Sequence, residues 1–222
     1  ISNNYHRETD FFIKIERIFL FYKNNIKRTF SNYEIFSLFE SNKRILLILF
    51  ENKIITIDEL ILKDMLIERN ENGERYCHFF IPEIKKQISE EKFTEIEKEF
   101  FDIEPRTLED YDLKRHQGEN DSYICSLIRN DSIEEFIYQY NKTNFSLTGK
   151  IKQSIYETNS FLINKCPTLI EYSAFFGSIQ IFNFLRQNKV DLSSSLWLYS
   201  IHSSNPRLIH ILEENLLFPE DE

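Results

Sequence analysis

The sequence predicts an all-α protein, a solenoid of helical hairpins preceded by a less regular helical region, and three observations carry that prediction. The first is a shortage of turn chemistry: the 222 residues contain only 4 Gly and 5 Pro, too few for the many tight hairpins of an all-β fold. The second is enough apolar material for a buried core, since 41% of the residues are hydrophobic and 21 are Phe. Rings of that size mostly fill interiors. The third is the spacing within residues 168–193, TLIEYSAFFGSIQIFNFLRQNKVDLS. Here Thr168, Ile170, Ala174, Gly177, Ile181, Phe182, Leu185 and Asp191 fall where two short helices, a tight turn and an outgoing loop need them.

Taken in order, the first hairpin is expected at about residues 33–57, YEIFSLFESNKRILLILFENKIITI. Leu38, Ile45, Leu46 and Leu49 take its apolar positions, with Ser41 and Asn42 at the turn. A polar break, ERNENGER, follows with Asn70, Asn72 and Gly73, which is loop chemistry. Residues 83–101 alternate acidic and basic side chains and read as an exposed helix with i to i+4 pairs. The charged run KRHQGENDS, His116 to Ser122 within it, marks a boundary. It separates an N-terminal helical region, residues 1–119, from degenerate repeats over 120–215 and an acidic tail over 216–222.

Within the second region, CSLIRNDSIEEFIYQYN from Cys125 reads as a weak hairpin. Ser126 and Leu127 belong to its first helix and Ile133, Phe136 and Ile137 to its second. Asp131, Ser132 and Glu135 look like the start of that second helix, an acidic first turn that suits the helix dipole. Helical periodicity continues through Ile151, Ile155, Phe161 and Leu162. A shift of 27 residues sets a further copy under residues 168–193. Tyr199 then meets Tyr172, Ser200 meets Ser173, Ser204 meets Gly177, Leu208 and Ile209 meet Ile181 and Phe182, Leu212 meets Leu185, and Asn215 meets Asn188. Self-similarity of this kind is the mark of stacked repeat architectures.

Residues 168–193 resemble one ankyrin repeat. The match lies at Thr168, Ile170, the Ser173–Ala174 pair, Gly177, Ile181–Phe182, Phe184–Leu185 and Val190–Asp191. Leu169 and Glu171 stand where the family has Pro and His, and Lys189 stands where it has Gly. The 27-residue spacing is shorter than the usual ankyrin period of about 33, which implies a truncated β-turn finger. With Asn, Ile, Lys and Phe favoured, the whole chain is similar in style to divergent, lineage-expanded ankyrin proteins of protists that carry a helical leader. The resemblance implies a non-catalytic module that recognises a protein partner through the concave face of its repeats. Glu171, Phe175, Phe176, Leu198, His202 and Ser203 would line that face.

Other classes of function are disfavoured on chemical grounds. A net charge of -9 opposes phosphate-backbone binding, which depends on clustered Lys and Arg, so no nucleic-acid partner is expected and a basic or neutral protein is. Cys77, Cys125 and Cys166 are far apart in sequence and make neither a disulfide framework nor a zinc knuckle, so reduced, intracellular and cytoplasmic thiols are expected. The longest apolar run, ILLILFENKII, is broken by Glu51 and Lys53 and is too short to span a bilayer. A single Met65 and mixed charges also argue against a membrane-surface helix, so no membrane partner is expected.

Gly73, Gly118, Gly149 and Gly177 are isolated, which removes the usual dinucleotide and phosphate-cradling loops. No two of His6, His78, His116, His202 and His210 have the i, i+4 spacing of paired metal ligands, and the adjacent pairs Glu90–Glu91, Glu134–Glu135 and Glu213–Glu214 cannot face each other on helices. No cofactor, no metal and no enzymatic activity are expected, and the module is expected to be a monomer. Two alternatives stand beside this reading. One is a helical effector enzyme using Cys and His, which needs His78 or His202 near Cys77 or a carboxylate in a pocket. The other is an N-terminal cap for a longer repeat array.

Overall fold

The computed structural model describes residues 9–66, 76–94 and 108–215. Among these the structure is helical, with no β-strand and one isolated antiparallel bridge between Lys150 and Thr168. Two compact units are present, residues 1–119 with 155–161, and residues 120–154 with 162–222.

The first unit contains α1 (Thr9–Thr29), α2 (Asn32–Phe39), α3 (Lys43–Glu51), α4 (Glu59–Leu66), a 3-10 turn (Tyr76–Phe79), α5 (Ile81–Gln87) and α6 (Leu108–Gln117). Helix α3 is central because it is apolar nearly all round: Ile45, Leu46, Leu47, Leu49 and Phe50 are all buried. A short helix of that composition must be covered on several sides, and α1 and α2 both pack on it. Helix α1 contributes Phe12, Phe11, Ile15, Phe19 and Ile26, an inward stripe at helical spacing, with the Phe19 ring edge-on to Phe39 at 5.5 Å. Lys23 and Lys27 donate to the carbonyls of Asn52 at 2.7 Å and Lys53 at 3.2 Å, placing cations at the negative end of α3.

Helix α2 begins with a capping box, Ser31 accepting from the Glu34 N–H while the Glu34 carboxylate accepts from Ser31. Its inward residues correct the sequence reading. Leu38 is 70% exposed, whereas Ile35 and Phe36 are buried. The apolar stripe runs through Ile35, Phe36 and Phe39, one and four residues apart, and leaves Leu38 beyond its exposed edge.

Glu83 supplies a second correction. Expected on a solvated face, it is buried and holds the Arg115 guanidinium at 2.6 and 3.2 Å. Arg115 also donates to Asp112 at 2.6 Å and to the Phe79 carbonyl at 3.1 Å, and is itself 2% exposed. Burial opposes its charge, but bonding to Glu83 and Asp112 leaves its pKa above the ordinary value. Beside it, the Tyr111 hydroxyl donates to the His78 carbonyl, and burial pushes the phenol pKa up. The rest of the alternating stretch past residue 94, the ERNENGER loop and the acidic tail lie outside the described residues.

The helical periodicity through Ile151, Ile155, Phe161 and Leu162 is realised only in α9 (Ser160–Lys165). Residues before it are extended or turning because their backbone groups find partners elsewhere in the fold. The Thr158 N–H and hydroxyl both donate to the Gly118 carbonyl, at 3.1 and 2.9 Å. Gly118 has φ +68°, and a Cβ there would sit 2.7 Å from Thr158 Oγ1, so a glycine ends α6.

In the second unit three hairpins follow one another: α7 (Tyr123–Arg129) with α8 (Ile133–Thr143), α10 (Leu169–Phe176) with α11 (Ile179–Gln187), and α12 (Leu196–Ser203) with α13 (Pro206–Glu214). First helices stack on first helices, α7 on α10 and α10 on α12, while α8 packs on α11. Every inter-helix turn contains a left-handed residue: Asp131 at φ +49°, Gly177 at +71° and Ser204 at +51°. In the first two turns the following residue closes a wide bond, Ser132 N–H to Leu127 O at 3.0 Å and Ser178 N–H to Ser173 O at 2.9 Å, as helix-ending Schellman geometry requires.

These turns are also tied to one another. The Asp131 carboxylate accepts from the backbone N–H groups of Gln180 and Ile181, both at 3.0 Å, and the Ser178 hydroxyl donates to the Ile128 carbonyl. One hairpin further on, the Asn205 amide donates to the Gly177 carbonyl at 3.1 Å. Asp131 therefore caps the helix of the next hairpin. The expected start of α8 at Asp131, Ser132 and Glu135 shifts accordingly: Ser132 occupies the cap position of α8 with no side-chain bond.

Candidate functional site

The predicted partner-binding residues lie on α10 and α12. Helix α10 starts at a capping box in which one Glu171 oxygen accepts from the N–H and hydroxyl of Thr168 at 2.7 and 2.8 Å. The other oxygen accepts from the Ser195 hydroxyl at 2.6 Å. Both carboxylate oxygens are thus engaged within the fold, joining the start of α10 to the start of α12.

Phe175 and Phe176 are 5% and 7% exposed, with ring centroids 5.0 Å apart. Phe176 also lies 4.6 Å from the Tyr172 ring, and the Tyr172 hydroxyl accepts from Arg129 at 2.9 Å. Phe175 lies 4.9 Å from the His202 imidazole. These groups form one chain of rings from α10 to α12, and their area is largely spent inside the unit. His202 is half-buried, and desolvation lowers its pKa, which favours the neutral ring. Ser203 donates to the Ser200 carbonyl at 2.8 Å and accepts from the Asn205 N–H at 3.2 Å, which fixes the α12–α13 turn.

Leu198 is 37% exposed and Ile201 64%. Spaced i, i+3 and i+4, Leu198, Ile201 and His202 share one side of α12, while Leu196, Tyr199 and Ser200 are buried. Ile201 was missed by the sequence reading, although the 27-residue register contained the signal. It stands where Ala174 stands in α10, and Ala174 is 0% exposed.

Of the residues a Cys/His mechanism would use, Cys77 and His78 are adjacent in the 3-10 turn of the first unit and His202 stands on α12 in the second. Cys77 and Cys125 are buried, Cys166 is half-buried, and none is in a disulfide. Cys166 Sγ accepts from the Gln153 amide at 3.2 Å and donates to the Ile163 carbonyl at 3.4 Å. Cys125 lines a cavity of about 350 Å3 whose lining holds no histidine. His210 is 70% exposed beside Glu214 at 3.1 Å. Among the described residues no group of three or more His, Cys, Asp or Glu side chains could hold a metal ion, and no helix is long and apolar enough to cross a membrane. Compared with protein-family models, with curated proteins and with solved structures, the chain matches none.

Proposed function

We propose that this chain is a non-catalytic protein-interaction module, a monomer whose second unit is an ankyrin-like stack of hairpins that binds a basic or neutral protein partner in a reducing, intracellular setting. The observation that carries this reading is the pair Leu198 and Ile201 on α12, two aliphatic side chains exposed on a helix whose other side is fully packed. Exposed apolar groups on a rigid element are what a protein interface needs at its centre. Glu171, Phe175 and Phe176 support that element from within, and His202 borders it.

The test is affinity capture from the source organism's lysate with the wild-type chain and with Leu198→Asp and Ile201→Asp, each checked for native helicity. A protein retained by wild type should lose affinity by about tenfold or more with either variant, the loss of a hot-spot contact. Equal retention by all three would sink the reading.

A second reading, a cap on a longer array, is favoured by the comparison of Ala174 with Ile201. Helix α10, packed between α7 and α12, has Ala174 fully buried, and a further hairpin laid on α12 would give Ile201 the same burial. Photo-crosslinking from position 201 separates the two: links to another protein favour the interaction module, and links within one longer polypeptide favour the array.

A further inference from the structure

The cavity in the second unit plays no part in the interaction surface on α12. At about 350 Å3 it falls in the size range of small-molecule sites. Ile124, Phe145, Ile151 and Leu169 give it apolar walls, and Lys150 and Lys152 line it beside the small residues Ser122, Cys125, Ser146 and Gly149. Both lysines are exposed and stand on either side of Ile151 in the segment that follows the isolated bridge at Lys150.

That backbone is pinned on both sides. Leu169 N–H donates to Gly149 O at 3.1 Å and Ile151 N–H to Pro167 O at 2.7 Å, and the Asn120 amide donates to the Lys152 carbonyl at 2.7 Å. The backbone that carries both lysines is therefore held in place, while their long side chains remain free to reach a ligand. In a chain of net charge -9, a cavity lined by two lysines and no carboxylate favours an anion with an apolar body.

We infer that this cavity binds a small carboxylate with an apolar body, of the size of a medium-chain aliphatic acid. Its hydrocarbon contacts Ile124, Phe145, Ile151 and Leu169, and its carboxylate pairs with Lys150 and Lys152.

Octanoate is the probe, titrated into the full chain by calorimetry and by amide NMR, with 1-octanol as the uncharged control. Saturable octanoate binding is expected, with shift changes concentrated in residues 122–125, 145–152 and 169. The double variant Lys150→Gln/Lys152→Gln, altered only at exposed positions, should weaken octanoate by about tenfold, two exposed ion pairs' worth, and leave octanol unchanged. Ile151→Trp, which fills the cavity, should abolish both. Octanoate affinity unchanged by the double variant, shifts centred elsewhere, or no saturable binding at millimolar octanoate would each overturn the inference.

Discussion

The hairpins α2/α3 and α10/α11 are built from the same parts and joined differently. Each opens with a capping box, Ser31 with Glu34 and Thr168 with Glu171. Each closes on Asn-Lys followed by a buried aliphatic, Ile54 or Val190, with the Asn amide bonded back one turn, to Ile48 O at 2.9 Å and to Phe184 O at 2.8 Å. Between the helices they part ways. The α2/α3 turn has one residue more and no left-handed residue, and Asn42 from the same hairpin caps α3 by accepting from Ile45 N–H at 3.0 Å. The α10/α11 turn is Gly177-Ser178, and α11 is capped by Asp131 from the preceding hairpin. A hairpin that caps itself can stand as one element of an irregular core. A hairpin that takes its cap from its predecessor, and offers the Gly177 carbonyl to its successor, is made for stacking.

The largest effect should come from breaking the turn that distinguishes the two. Gly177 is at φ +71°, and a Cβ there would stand 3.4 Å from Ser203 Cβ and 3.6 Å from Asn205. Gly177→Val should cost about 2–3 kcal/mol in urea unfolding, through left-handed strain on a β-branched residue. Glu40→Val, at the corresponding place in α2/α3 with φ -57°, should cost under about 0.5 kcal/mol. Equal costs would mean that the turns are not the point of difference.

The borrowed cap comes next. Asp131→Ala should cost about 1–2 kcal/mol, and Asn42→Ala about 1 kcal/mol. Hydrogen exchange gives the sharper readout. Protection should fall in α11, 49 residues downstream of Asp131, in the first variant, and in α3, next to the altered residue, in the second. Loss of protection in α8 on changing Asp131 would restore the local capping that its sequence position suggests.

The smallest effect is in pH. In the first unit the Glu51 hydrogen bond raises the His116 pKa above its ordinary 6.5, with burial opposing. Stability from that pair is therefore fully present below about pH 6.5 and lost as pH rises through the raised value. In the second unit desolvation lowers the His202 pKa from 6.5, so stability is lost as pH falls below the ordinary value. Between pH 7.5 and 5.5, His116→Gln should remove a gain of about 0.5 kcal/mol, since the pair is solvent-screened. His202→Gln should remove a loss instead. Urea midpoints at the two pH values decide both signs.

The legible part of the fold was what local periodicity encodes. Helices α10 to α13 and the turns at Gly177 and Ser204 follow from apolar spacing and the 27-residue register. Illegible features were those fixed by distant partners. Nothing near Glu83 announces Arg115, 32 residues away, nothing near Asp131 announces the N-terminus of α11, and the spacing of Ile151 and Ile155 imitates a helix that tertiary hydrogen bonds override. The candidate surface was half legible. Leu198 and His202 lie on it, and Ile201 was recoverable by asking what Ala174 becomes one copy later. Phe175 and Phe176 could not be sorted from sequence, because a ring that packs against a neighbouring hairpin and a ring that awaits a partner look the same until the neighbour is placed.

Lys53 and Lys189 end their helices at φ +52° and +61°, a conformation that a glycine adopts without penalty and an L-residue does not. At both positions the chain tolerates a local backbone penalty so that the next residue, Ile54 or Val190, can turn inward. Both hairpins therefore hold unused stability at exposed positions that neither the α12 surface nor the cavity lining includes. An engineer could draw on that reserve at Lys189 to offset destabilising changes on α12, and so vary the recognition surface more widely than the native fold alone would tolerate.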